Sequence, residues 1–330
     1  MSDRSRPIVV VMGADPSEPP PGIERIAELV ELRFAPDREA LIAAIPDAEI
    51  VYSWWGRRED LEAAWAFAVR LRWIQAANVG VNGLLFPALV ESDVILTNAR
   101  GVAEHPIAES VVGFIVALAK DFPRMLDDQR THVWGDRDSE RVAGKRLLVV
   151  GPGPIGREIG RACGVGLGMD VEAIGRNARA GDDVFERVGG PSDLHPALGR
   201  ADYVVDAMPL SAETHHLFDA RAFAAMRPSA RFLNVGRGAT VDEPALIEAL
   251  RRGVIAGAAL DVFEEEPLPQ DSPLWDLPGV IVCPHMSGNV EGWESDFAAV
   301  FYDNVGRWVR GESLLNIVDK RLGFPNGPGP

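Results

Sequence analysis

The chain has 330 residues, 47% apolar and 25% charged, a make-up that fits a soluble globular protein with room for two cores. Its net charge of −16 and pI of about 4.8 repel phosphate backbones, which argues against nucleic acid or an anionic membrane as partner. Two cysteines, Cys163 and Cys283, are too few for a disulfide framework and point to a reducing, cytoplasmic setting. No signal peptide is visible, and no apolar run approaches the ~20 residues of a membrane span.

Short apolar runs alternate with helical patterns from the start. Strands are expected at Pro7–Met12, Glu31–Ala35, Glu49–Ser53, Trp73–Ala76 and Val94–Asn98, with helical spacing near Gly22–Leu29, Asp37–Ala44 and Arg58–Ala68. That alternation predicts a small parallel sheet with helices on both faces. Pro106–Phe122 is then an almost continuous apolar helix, expected to lie between domains or between subunits, with a kink at Pro123. The alternation resumes with strands at Leu147–Val150, Val171–Ile174, Tyr203–Met208, Arg231–Val235, Ala256–Val262 and Val280–Cys283. Six strands suit a doubly wound dinucleotide-binding domain. An amphipathic helix over Val290–Arg310 is expected to return to the first domain, and the tail Gly323–Pro330 is expected to fray. The division is therefore 1–103 with 290–330 as one domain and 104–289 as the other, with a hinge at the two crossings. Both are expected to be α/β, doubly wound and parallel.

The stretch Leu147–Gly160, LLVVGPGPIGREIG, organises the whole. Gly151, Gly153 and Gly156 match G-x-G-x-x-G directly after a strand, with a helix opening at Pro154 and Ile155. The spacing calls for a tight turn at Gly151, close approach of a pyrophosphate at Gly153, and close helix–sheet packing at Gly156. In an open parallel sheet ligands bind beyond the carboxyl ends of the strands, where three polar residues fall. Arg237 follows Val235, Glu266 lies past Val262, and His285 follows Cys283. Beside a nicotinamide they compose a hydride-transfer site. The imidazole exchanges a proton with a substrate oxygen, the carboxylate supports its charged form, and the guanidinium clamps a substrate carboxylate. No group with metal-ligand spacing stands out.

The motifs GPGPIG, PLSAETHHLF (Pro209–Phe218), NVGRGATVDEPALIEAL, GAALDVFEEEPLP and CPHMSG occur in order along the chain. On them the sequence resembles the D-isomer-specific 2-hydroxyacid dehydrogenases over nearly its whole length. The resemblance implies Arg237 as substrate-binding arginine, Glu266 as the carboxylate and His285 as acid/base. It implies a contact from Asp261 to the nicotinamide carboxamide, and cofactor contacts from Met208, Pro209 and Val235. The backbone N–H groups of Val79 and Gly80 would cradle the substrate carboxylate. It further implies a central Rossmann domain within a discontinuous, flavodoxin-like substrate domain, and a homodimer. The chain departs from the commonest pattern at Asn82 and Ser110, positions read as bearing on substrate range.

The carboxylate that holds a ribose 2′-OH is expected ~20 residues past the glycines, but Arg176, Asn177 and Arg179 stand there instead. This predicts NADP(H), with NAD(H) as the alternative, anchored mainly by Arg176 and more weakly by Arg179. The expected substrate is a short 2-oxo acid such as glyoxylate or hydroxypyruvate. Trp54 or Trp55 would wall its pocket, Arg57 or Arg58 would meet a second anionic group, and Trp134 would reach a neighbouring subunit. The competing readings are an NAD(H)-sensing scaffold and a dehydrogenase working in the oxidative direction on another D-2-hydroxy acid.

Overall fold

Short apolar runs become parallel strands in both large sheets of the computed structural model, which describes residues 6–325. The chain divides into two units: the segment up to Val102 with that from Val290 onward, and Ala103–Asn289.

The first unit opens with β1 (Ile8–Met12), β2 (Glu31–Ala35), α1 (Arg38–Ala44), β3 (Ile50–Ser53), α2 (Arg58–Ala64), β4 (Trp73–Ala76), α3 (Pro87–Glu91) and β5 (Ile95–Thr97). All five strands are parallel in the order β2-β1-β3-β4-β5, which is flavodoxin-like. Residues along β1 alternate between two cores: Val10 and Met12 pack with Leu41 and Leu61, Val9 and Val11 with Tyr52 and Trp73. The helix expected near Gly22–Leu29 is only a 3-10 turn, Ile23–Ile26.

The second unit starts with α4 (Glu104–Ala119). Ile107, Val111, Ile115 and Leu118 are buried and the helix lies against α6 (Pro154–Arg161) of the same unit, while Val112, Phe114 and Val116 stay half-buried. The helix does not kink at Pro123. It ends at Lys120, Asp121 turns left-handed (φ 55°), and α5 (Phe122–Arg130) begins afresh with Pro123 in its first turn, where a missing N–H does no harm. There follow β6 (Arg146–Val150), α6 (Pro154–Arg161), β7 (Asp170–Ile174), β8 (Arg179–Ala180), β9 (Arg187–Gly189), α7 (Leu194–Leu198), β10 (Tyr203–Asp206), α8 (Ala220–Ala225), β11 (Arg231–Asn234), α9 (Glu243–Arg251), β12 (Gly257–Leu260) and β13 (Val280–Val282). The sheet has eight strands rather than six, in the order β13-β12-β11-β10-β6-β7-β9-β8. Only β8 runs antiparallel. The order reverses between β6 and β10, and there Val150, Asp206, Asn234 and Leu260 stand level across the ladder. The loops that leave β6, β10, β11 and β12 therefore start from one row.

The chain then returns to the first unit with α10 (Trp293–Arg310), whose Phe301 and Tyr302 close the core around Tyr52 and Trp73. The tail is ordered further than expected: β14 (Val318–Asp319) pairs with β15 (Phe324–Pro325), and only the residues beyond lie outside the described part.

At Gly156 a Cβ would stand 2.1 Å from the Gly151 carbonyl oxygen and 3.0 Å from Val149 Cγ1, and backbone cannot swing aside as a flexible side chain does. Gly156→Ala is expected to cost about 2–3 kcal/mol or more, as overpacked sites do, read as a lower thermal midpoint without any ligand present.

Candidate active site

The glycine loop leaves β6 at Gly151, with φ near 100°. A Cβ there would press to 2.8 Å from the Ala207 carbonyl oxygen, so the loop and the end of β10 meet backbone to backbone. Gly153 differs. It is exposed at the N-cap of α6, and a Cβ built on it meets nothing within 4 Å. The protein itself does not need glycine there, whereas a pyrophosphate lying against the turn does. Pro154 opens the helix and no side chain caps it, so the first-turn N–H groups beside Ile155 remain for an anion. These residues fit a dinucleotide.

Arg176 and Asn177 are exposed just past β7, and a Cβ on Gly175 would come within 3.0 Å of Pro152 in the glycine loop. Arg179 lies in β8 and donates to Asp182 at 2.7 Å, a carboxylate it shares with Arg157. Glu172, the nearest acidic residue in β7, is paired with Arg200. Met208 and Val235 are buried at the ends of β10 and β11, and the Pro209 carbonyl accepts from Thr214 Oγ1.

Glu266 and His285 come together. Glu266 Oε2 is 2.7 Å from His285 Nδ1, and its Oε1 accepts the Phe263 N–H at 3.0 Å. The hydrogen bond to Glu266 raises the imidazole pKa above its ordinary value, against burial and the nearby Arg237 charge. Burial pushes the Glu266 carboxyl up, but His285, the Phe263 N–H and Arg237 outweigh it and hold it below its usual range. His285 itself is left-handed (φ 51°), with its N–H on the Asp261 carbonyl at 2.9 Å.

Asp261 is first of all an anchor for this loop. Its Oδ1 accepts the N–H groups of Met286 and Ser287 at 2.9 and 3.1 Å, and its Oδ2 accepts the Ser287 hydroxyl. The expected contact to a nicotinamide carboxamide competes with these bonds. Ser110, read as bearing on substrate range, donates to the Ser287 carbonyl at 3.0 Å and so braces the same loop.

Arg237 supplies the cation. Burial lowers its pKa while Glu266, Asp206 and Asp261 act to raise it. Among the described residues its guanidinium donates only to the neighbouring Gly236 carbonyl, at 2.6 Å, so most of its five N–H donors are unspent. The loop beneath it is built on polar residues that sequence reading passed over, Asp206, Asn234 and Thr240, all buried. A polar residue closing a strand was the only signal for Asp206 and Asn234, and Thr240, in the turn after Arg237, had none.

In the first unit, the loop after β4 carries Val79 and Gly80, whose N–H groups meet no acceptor among the described residues. Trp54 is 5% exposed and packs beside Tyr52 in the unit's core. Trp55 is exposed, edge-on to Trp293. Arg58 pairs with Glu62 along α2, and Arg57 precedes the helix, exposed. Among the described residues no cluster of His, Cys, Asp or Glu could hold a metal ion, and no helix is long and apolar enough to cross a membrane.

A glycine loop at a sheet's switch point, with a carboxylate–imidazole pair and a desolvated arginine on the same edge, defines a dinucleotide-dependent oxidoreductase. The profile of the D-isomer specific 2-hydroxyacid dehydrogenase NAD binding domain matches residues 112–287. Glyoxylate/hydroxypyruvate reductase B of Pectobacterium carotovorum is 36% identical over 261 residues, covering 77% of this chain and 81% of that one. A D-isomer specific 2-hydroxyacid dehydrogenase family protein from Aeromonas salmonicida superposes with a TM-score of 0.81 at 31% identity, over 96% of this chain and 100% of that one. An NADPH-dependent glyoxylate/hydroxypyruvate reductase from Sinorhizobium meliloti, solved with NADP and sulfate, gives 0.81 at 25%, over 97% and 100%. The chain belongs to the D-isomer-specific 2-hydroxyacid dehydrogenases.

Glu266→Gln removes the charge that supports the imidazolium. The proton then leaves His285 at lower pH, so the alkaline fall of reductive activity is expected to move to lower pH. A pH–kcat profile unchanged from wild type would remove Glu266 from this role.

Proposed function

We propose that this chain is an NADPH-preferring reductase that converts a short 2-oxo acid, glyoxylate or hydroxypyruvate, to the D-2-hydroxy acid. The observation that carries the reading is the Glu266–His285 pair beside a half-buried guanidinium with unspent donors. The named activities of the Pectobacterium and Sinorhizobium proteins agree with it.

Arg237 holds the substrate carboxylate through charge-assisted hydrogen bonds and polarises the adjacent carbonyl. His285, kept protonated by Glu266, gives its Nε2 proton to the oxygen on which negative charge develops. Asp261 and Ser287 keep the imidazole in place for that transfer. When bound, the reduced nicotinamide supplies the hydride. Val79 and Gly80, whose N–H groups meet no acceptor among the described residues, would serve as donors to a substrate carboxylate, and Trp55 is an exposed aromatic of their unit. Gly151, Gly153, Pro154 and Gly156 would take the pyrophosphate, and Arg176 the 2′-phosphate, since a guanidinium pairs with that group and a carboxylate would repel it.

The same reading takes the substrate domain to be 1–103 with 290–330 and the nucleotide domain 104–289. A homodimer would cover Phe122, Met125, Leu126, Val133 and the 97%-exposed Trp134. Two unpaired cysteines suit a cytoplasmic enzyme.

Steady-state kinetics test it. NADPH should exceed NADH in kcat/KM with glyoxylate or hydroxypyruvate, and equal or reversed values refute the preference. Arg176→Ala should raise KM for NADPH about tenfold or more and collapse the ratio, by loss of a charge-assisted contact. His285→Ala should lower kcat by ~10²–10⁴, the usual worth of a general acid.

A further inference from the structure

Asp206 closes β10 with no exposed surface, level with Asn234 in the neighbouring strand. Its Oδ1 accepts the Met208 N–H at 2.9 Å, and its Oδ2 is hydrogen-bonded to the Thr240 hydroxyl. That hydroxyl oxygen is also 2.6 Å from the backbone carbonyl of Arg237, which Asn234 Nδ2 meets at 3.1 Å.

A threonine hydroxyl has one hydrogen. On either side of Thr240 Oγ1 stands an oxygen at hydrogen-bonding distance, one a carboxyl and one a carbonyl. With Asp206 ionised both are acceptors, and one of the two contacts becomes lone pair against lone pair. With Asp206 protonated every atom is satisfied: Asp206 donates to Thr240, and Thr240 donates to the Arg237 carbonyl. We propose that Asp206 is a positioning residue that works in its protonated form, holding through Thr240 the loop from which Arg237 reaches the substrate.

Burial favours the same state and pushes the carboxyl up to about 7, against the hydrogen bonds from Thr240 and Met208 and the Arg237 charge. Among the described residues the charged group acting on Asp206 is Arg237. The flanking strands set Val150 and Asn234 beside it, and the other carboxylates near the guanidinium are Glu266 and Asp261. When Asp206 loses its proton, Thr240 turns its hydrogen back to the carboxylate and the Arg237 carbonyl loses a bond. A new negative charge then competes for the guanidinium. Substrate affinity falls as pH rises through neutrality. This catalytic consequence rests on Arg237 being the carboxylate clamp.

The folded protein holds the Asp206 proton to higher pH than the unfolded chain, whose carboxyl titrates near 3.8. Its contribution to stability therefore falls as pH rises from about 4 to about 7 and is level above. Asparagine keeps the shape, donates to Thr240, accepts from Met208 and does not titrate.

The test uses the full chain. Thermal midpoints of wild type, Asp206→Asn and Asp206→Ala are measured without ligand from about pH 5 to about pH 8.5. The midpoint of Asp206→Asn minus that of wild type should grow up to about pH 7 and then plateau, while Asp206→Ala stays below Asp206→Asn at every pH. Parallel curves for wild type and Asp206→Asn overturn the protonated state. With saturating NADPH, KM for glyoxylate should rise about five- to tenfold more in wild type than in Asp206→Asn over the same range, as an added charge beside the guanidinium requires. The alkaline fall of kcat, set by His285, should match in both. Superimposable KM profiles overturn the positioning role. Absence of turnover on either oxo acid defeats the reductase reading instead, and the melting curves still decide the state of Asp206.

Discussion

Two buried aspartates, each placed where a parallel strand gives out, hold the reactive edge of this protein together. A loop leaving a strand loses its ladder partners, and its N–H groups need acceptors. Asp261 supplies them after β12 and fixes the left-handed backbone at His285. Asp206 does the same after β10 and reaches across to the loop of Arg237. Because Val150, Asp206, Asn234 and Leu260 stand level, small shifts in either anchor move reacting groups that share one row.

The electrostatics of that row run against those of the molecule. A chain of net charge −16 would seem a poor host for an anion. Most of those charges are solvated and screened over a Debye length of about 8–10 Å, whereas Arg237 is desolvated and largely unspent. Local donors therefore outweigh the global field. The Glu266–His285 pair is tuned in the same way: each partner favours the charged form of the other, so the imidazole holds its proton to higher pH and the carboxylate stays ionised to lower pH.

Much of this was legible in the amino acids, for physical reasons that also mark the limit. Strands buried on both faces announce themselves as apolar runs, so β1 to β7 and β10 to β13 fell where the pattern put them, give or take a residue or two at the ends. β8 and β9, two and three residues long, leave no pattern, and the sheet was undercounted by them. A kink in a continuing helix was expected at Pro123, but Asp121 breaks the helix, and a left-handed aspartate has no signature. Arg237, Glu266 and His285 stood out through their places after strands and through motif order, and the fold brings Glu266 and His285 into contact. Trp54 and Trp55 look alike in sequence, and only the fold separates them, one buried and one exposed. Asp206, Thr240 and Ser110 act through contacts distant along the chain, which no local window holds.

The first unit is interrupted by the whole of the second. Its β1–β5 sheet presents Val9, Val11, Tyr52 and Trp73 on one face, and the covering for that face, Ala298, Phe301, Tyr302 and Val305, lies on α10. During synthesis that greasy face waits while nearly two hundred further residues are made, and the inserted unit can finish its own core first. The half-made sheet is therefore the segment most in need of a chaperone, and the last helix acts as the clasp whose arrival ends that need.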